Sequence, residues 1–137
     1  MKTIKSTIMM FVALFSLVSC KKDEVVVQTT AQKIQAKWGI ETSTNTEYVP
    51  PAEKLTTTYH GNSADYFDFR ANGKVYIKQG TNPEEVMDYT IESDTQILIG
   101  DMMFSIQKLD DHNLKLYFKQ LLKDDISYTE DTYNLTK

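Results

Sequence analysis

The sequence predicts an all-β fold: an antiparallel up-and-down meander of about eight strands closing into a small barrel, with a short helical turn ahead of it. Three observations carry this prediction. From Ile34 to the C-terminus, short segments alternate apolar and polar residues, the two-residue period of a half-buried strand. Tight turns built from Gly, Asn, Asp and Ser join successive segments. About eight strands is also the number at which such a meander closes on itself and loses its edges. At 137 residues the chain has room for one domain.

The segments follow in order. Thr29 or Thr30 caps a short helical turn through Gln35. Ile34, Ala36, Trp38 and Ile40 alternate with polar neighbours as a half-buried strand, and Thr42 to Thr46 reads as a polar, turn-rich stretch. Pro50-Pro51 breaks the chain before Leu55 to His60 (LTTTYH), which is rich in β-branched residues and ends at Gly61-Asn62-Ser63. Tyr66 to Arg70 and Lys74 to Lys78 flank Asn72-Gly73, a strong hairpin signal because that pair supplies the positive φ angles a tight turn needs. Met87, Tyr89 and Ile91 alternate before the turn at Ser93 to Thr95. Ile97 to Ile99, the turn at Gly100-Asp101, Met102 to Leu109 and the polar turn Asp110 to Asn113 follow. Residues 114–123 fit two patterns: Leu114, Tyr117, Phe118, Leu121 and Leu122 at helical spacing, or Leu114, Leu116, Phe118 and Leu122 in alternation. The tight turn before them and the strands around them favour a strand. Ile126 to Leu135 is the last segment.

The first nineteen residues are of another kind. Lys2 and Lys5 give a basic start, and Ile8 to Val18 runs almost without polarity. That run falls short of the roughly 20 residues that span a bilayer, but it suits the core of a signal peptide. Leu17-Val18-Ser19-Cys20, followed abruptly by Lys21-Lys22-Asp23-Glu24, resembles the lipobox of bacterial lipoproteins. The resemblance implies cleavage before Cys20, acylation of its sulfur and amino terminus, and an outer-membrane location in a Gram-negative bacterium. Two or three acyl chains hold stably where one holds weakly. Lys22-Asp23-Glu24 is similar to a surface-export tag, which leaves the periplasmic face and the cell surface both open. The expected organisation is a signal peptide over 1–19, the lipidated cysteine and a tether over 20–32, and a barrel domain over 33–137. Val25 to Val27 is the one part of the tether that also reads as a strand start.

Within the barrel region a second resemblance emerges. Ile34-x-Ala36-x-Trp38-x-Ile40, then Tyr66-Phe67-Asp68-Phe69 with Asn72-Gly73-Lys74-Val75, and the later segments in their order and spacing resemble the lipocalin-like lipoproteins. That family favours glycine where Ala36 stands. The resemblance implies a barrel that is either packed with side chains or holds one small ligand, and it carries no reaction.

Composition narrows the function further. Loss of residues 1–19 removes two lysines and no acid, moving the formal charge from −4 to −6. An acidic chain without a basic stripe is unsuited to nucleic acid. Lipidation of Cys20, the one cysteine, withdraws it from disulfide, metal and nucleophilic roles. His60 and His112 lack a second ligand at a telling spacing, so no metal site is expected. The acid pairs Glu84-Glu85, Asp110-Asp111 and Asp124-Asp125 read as solvated turn residues. Nothing sets Ser63, Ser93, Ser105 or Ser127 beside a histidine and an acid. The expectation is therefore a non-enzyme without a cofactor. Its candidate binding residues are the large side chains that alternation turns inward: Trp38, Phe67, Phe69, Met87, Tyr89, Met103, Phe118 and Tyr133. A small hydrophobic molecule, or a lipid or glycan fragment, is the expected ligand, and an accessory protein with a filled barrel and partner-binding loops is the alternative.

Overall fold

The structure, a computed structural model, describes residues 27–137. The expected signal peptide, Cys20 and the tether up to residue 26 lie outside the described residues. Helix α1 (Thr30–Ile34) forms because Thr29 caps it: the Thr29 hydroxyl accepts the Gln32 backbone N–H, and the Gln32 side chain accepts that of Thr29. Its last residue, Ile34, is fully buried, and the Ile34 carbonyl accepts the Trp38 indole N–H at 2.8 Å. The helix thus plugs one end of the barrel, here called the base. Thr30 secures it to the base turn through a 2.6 Å hydrogen bond to Asp94.

Nine strands follow: β1 (Lys37–Tyr48), β2 (Leu55–His60), β3 (Tyr66–Phe69), β4 (Lys74–Lys78), β5 (Glu85–Ser93), β6 (Gln96–Ile99), β7 (Met102–Leu109), β8 (Asn113–Leu121) and β9 (Tyr128–Thr136). Every pairing is antiparallel, and β1 closes the wall against β9 from Gly39 opposite Thr136 to Tyr48 opposite Tyr128. On its other edge β1 holds β3 along its first residues (Trp38 opposite Phe67) and β2 along the rest (Thr44 opposite Thr58). The two share one place in an eight-stranded closed barrel. The all-β meander expected from the sequence is what forms, and residues 114–123 supply strand β8.

Two local expectations are corrected. Ile34 belongs to the helix, and the strand starts only at Lys37. Ile34 still faces the core, because the helical turn delivers it there as a plug. Thr42 to Thr46 is no turn; it is the centre of β1, hydrogen-bonded to β2 on one edge and β9 on the other. Its threonines are β-branched and suit a pleated surface, and Thr44–Thr58 and Thr46–Thr56 pair their hydroxyls at 3.3 and 3.0 Å. Beyond Ile40, with an irregularity before Thr42, β1 rises with β2, β8 and β9 above the shorter β3, β4 and β6.

Alternation fills the interior. Trp38, Phe69, Val75, Ile97, Leu114, Leu116 and Leu135 are fully buried around the base. Aromatic rings carry the core upward: Phe69 meets Tyr89 edge-on at 5.2 Å, Phe67 meets Tyr133 at 5.0 Å, and Phe104 meets Phe118 at 5.3 Å. The lower barrel is a packed core.

Candidate functional site

At the opposite end from α1 the packing stops short of the rim, leaving a cleft of about 220 Å³. Its floor is Phe67, Ile77, Met87, Ile99, Met102, Phe104 and Tyr133, and its rim is Gln79, Asn82, Pro83 and Glu85. The register explains the convergence. Phe67 lies opposite Ile77, Ile77 opposite Glu85, and Ile99 opposite Met102, so inward positions on successive strands meet at one height. Among the described residues no lysine or arginine lines the cleft, and the Glu85 carboxylate is its one charged group.

Tyr133 is the polar group set among the floor residues. Its ring packs on Phe67 and Phe104, and its hydroxyl has no hydrogen-bond partner among the described residues. Burial, reinforced by the negative charges of Asp131 and Glu85, pushes its pKa up to about 12. The hydroxyl is therefore a neutral donor and acceptor at physiological pH.

The rim loop, residues 79–84, is held from below by a buried carboxylate. Asp65, 1% exposed, accepts the Gly80 N–H at 2.7 Å, the Asn62 N–H at 2.8 Å and the Tyr59 hydroxyl at 2.7 Å. The Tyr59 bond, with the two backbone N–H groups, holds its pKa below the usual carboxylate range against the opposing effect of burial. Lys78 adds a bond to the Asn82 carbonyl. Gly80 turns the loop at φ +58°, a left-handed conformation that glycine adopts without strain, with Tyr59 packed alongside.

The eight residues expected to line a cavity divide. Phe67, Met87 and Tyr133 do line the cleft. Trp38 and Phe69 lie deeper in the packed core, Tyr89 joins Phe69 and donates its hydroxyl to the Arg70 carbonyl at 2.9 Å, and Phe118 packs behind Phe104. Met103 is the correction: it is 42% exposed on the outer surface. The inward phase of β7 is Met102, Phe104 and Ile106, so Met103 points away from the core beside Leu98.

The expected set leaves out Ile77, Ile99, Met102, Phe104 and Glu85 on the strands and Gln79, Asn82 and Pro83 on the rim loop. Running the alternation of Met87-Tyr89-Ile91 back one step reaches Glu85, and running Ile106-Phe104 back reaches Met102. Tyr59, Asp65 and Gly80 gave no such signal, because loop contacts do not follow strand periodicity. Among the other polar candidates, Asp110 accepts the His112 and Asn113 N–H groups, which depress its pKa well below the carboxylate range. Asp124 closes the 122–127 loop through Ser127, which is buried. His60 ends β2 and His112 sits in a base turn, both exposed. Among the described residues no three His, Cys, Asp or Glu come together as a metal site.

The site is thus a cleft with an apolar floor and a polar rim; among the described residues it offers one unbonded hydroxyl, two amides and one carboxylate, an arrangement that binds by shape and hydrogen bonding. The chain matches no protein-family model, no curated protein and no solved structure.

Proposed function

We propose that this chain is a lipid-anchored, lipocalin-like envelope lipoprotein of a Gram-negative outer membrane, and that its barrel is a non-catalytic binding module. The observation that carries the binding role is the mouth cleft, in which the Tyr133 hydroxyl, without a hydrogen-bond partner among the described residues, lies against an apolar floor. Its volume bounds the ligand. A cavity of about 150 Å³ lined by aliphatic and aromatic groups holds benzene, and drug-sized ligands take roughly 300–1,000 Å³. At about 220 Å³ the cleft suits a molecule with one ring or a short branched body. It is too small to enclose a whole phospholipid or a long acyl chain. At the rim the Glu85 carboxylate favours a ligand whose polar end donates a hydrogen bond, and the Gln79 and Asn82 amides can donate or accept alongside it. The anchor and the outer-membrane address rest on the LVSC sequence and its flanks.

Native mass spectrometry of the protein purified from its own envelope tests this reading. A retained small molecule that disappears when Ile77→Trp fills the cleft supports it. Bare protein, together with no melting shift across a panel of ring-sized amines, alcohols and acids, overturns it.

A second reading, a partner-binding accessory protein, draws on one observation. Val49, Leu121, Leu122 and Ile126 lie 40–62% exposed where β1 and β8 end and along the loop after β8. Replacing Leu122 and Ile126 by Asp would then release a partner protein while leaving ligand retention unchanged.

A further inference from the structure

Among the described residues every strand but one has a strand neighbour on each side. β2 bonds to β1 and, among the described residues, to no other strand. The direction of its free groups follows from its register. Gly61 donates its N–H to the Glu41 carbonyl at 3.0 Å, which continues the pairing of Thr42 with His60 and Ser43 with Tyr59. Glu41–Gly61 is therefore a hydrogen-bonded pair, and so, two residues on each time, are Ser43–Tyr59, Asn45–Thr57 and Glu47–Leu55. Thr56 and Thr58 between them turn their N–H and C=O groups away from β1, into solvent.

Natural sheet edges are usually blunted by an inward charge, a proline or a bulge. From Leu55 to Tyr59 this edge has none of these, and its pairing with β1 runs without a register shift. Every β2 residue except Tyr59 is exposed, and Leu55 is 64% exposed although it is a large apolar side chain.

We propose that the free edge of β2 pairs antiparallel with β2 of a second copy of this chain, about a twofold axis through Thr57. The sequence LTTTY is complementary to itself in that register. Thr56 stands opposite Thr58 of the second copy as a hydrogen-bonded pair, so the outward groups of each strand meet the other's. Leu55 stands opposite Tyr59 on one face, an apolar pair that covers the exposed leucine. On the other face threonine meets threonine, as Thr44 meets Thr58 within the chain. A twofold through Thr56 instead sets Leu55 against Thr57 and Lys54 against Thr58, and loses the apolar pair.

The contact is small. A six-residue edge buries less than the roughly 1,000 Å² that marks a stable complex, so the dimer is weak and forms where copies are crowded, as tethering to one membrane would crowd them. It does not depend on what the mouth cleft binds.

The test is therefore cross-linking of the full chain in its own membranes. The twofold sets the two Thr57 residues opposite each other as a non-hydrogen-bonded pair, with Cα atoms about 4.5 Å apart, within disulfide reach. Under mild oxidation Thr57→Cys should give disulfide dimers several-fold above both Met103→Cys, on the far wall, and the parent with Cys20 alone. Adding Leu55→Lys to Thr57→Cys should return the yield to the Met103→Cys level, because the charge falls on the apolar pair and the exposed site tolerates it in the fold. Thr56→Pro should do the same, because it removes an N–H that β1 does not use. Yields from Thr57→Cys equal to Met103→Cys, or unchanged by Leu55→Lys, would overturn the proposal. So would a Thr57→Cys product joined to a different protein, since the edge would then belong to another partner.

Discussion

Tyr59 on β2 donates its hydroxyl proton to the buried Asp65 carboxylate at 2.7 Å, and Asp65 in turn holds the N–H of Gly80. One carboxylate therefore joins the β2–β3 turn to the rim loop of the cleft. Asp65 has a folded pKa below its ordinary value, so the stability it contributes is present above the usual carboxylate range and is lost as pH falls toward the folded value. Asp65→Asn should lower the melting temperature at neutral pH and flatten its decline in acid. Tyr59→Phe should lower it less, since the two backbone bonds survive. Melting curves from pH 7 to 3 check both, and an Asp65→Asn variant with the parent's acid limb counts against this role.

At the base, Trp38 is fully buried and its indole N–H bonds the last carbonyl of α1. Trp38→Ala removes the largest packed side chain there and frees the plug. The cost should be about 3–5 kcal/mol, read by urea unfolding. Trp38→Phe keeps most of the volume and loses the bond, so it should cost distinctly less. Equal costs for the two would mean that the bond to Ile34, rather than packing, dominates.

The parts of this fold legible in the sequence are those where one residue's environment repeats two residues later. Phe67 with Phe69 and Phe104 with Ile106 announce both strand and inward face. Asn72-Gly73 announces its hairpin because the turn needs a positive φ, and Gly73 has φ +75°. Thr42 to Thr46 was illegible as strand because both faces there are polar above the core, so alternation vanishes while the hydrogen-bond ladder continues. The cleft was half legible for a different reason. Periodicity tells that Met87 and Tyr89 share a face, but not that Met87 ends beneath the open mouth while Tyr89 is capped by Phe69. Height along the barrel is set by the stagger between strands, which no single segment carries.

Adjacent positions on β7 test the inward phase directly. Phe104 is buried against Phe118 and Tyr133, whereas Met103 lies outside. Phe104→Ala should cost about 3–5 kcal/mol, and Met103→Ala should stay within about 0.5 kcal/mol of the parent. Chemical denaturation of the two variants decides the register, and a reversed order would refute it.

The anchor has its own test, independent of the barrel. Replacing Cys20 with Ala removes the acylated sulfur that the LVSC sequence implies. The variant should lack the acyl mass and keep residues 1–19 uncut, both read by mass spectrometry of the purified protein. Continued loss of residues 1–19 together with membrane retention would mean that something other than the lipid holds the protein.

Tyr133 gives the cleft a signature in alkali. Its folded pKa stands at about 12, above the roughly 10 of a free tyrosine, because burial and the charges of Asp131 and Glu85 disfavour the phenolate. The unfolded chain therefore gives up this proton first as pH rises. The stability that the neutral hydroxyl provides is fully present below pH about 10 and is lost as pH climbs toward 12. Tyr133→Phe removes that linkage while leaving the ring on Phe67 and Phe104, so the variant should lose less stability than the parent between those values. It should also delete the latest step of the tyrosine absorbance titration. In ligand binding the same variant should weaken molecules with a polar group and spare purely apolar ones, since only the former use the hydroxyl. Equal weakening of both classes would place the ring, and not the hydroxyl, at the centre of recognition.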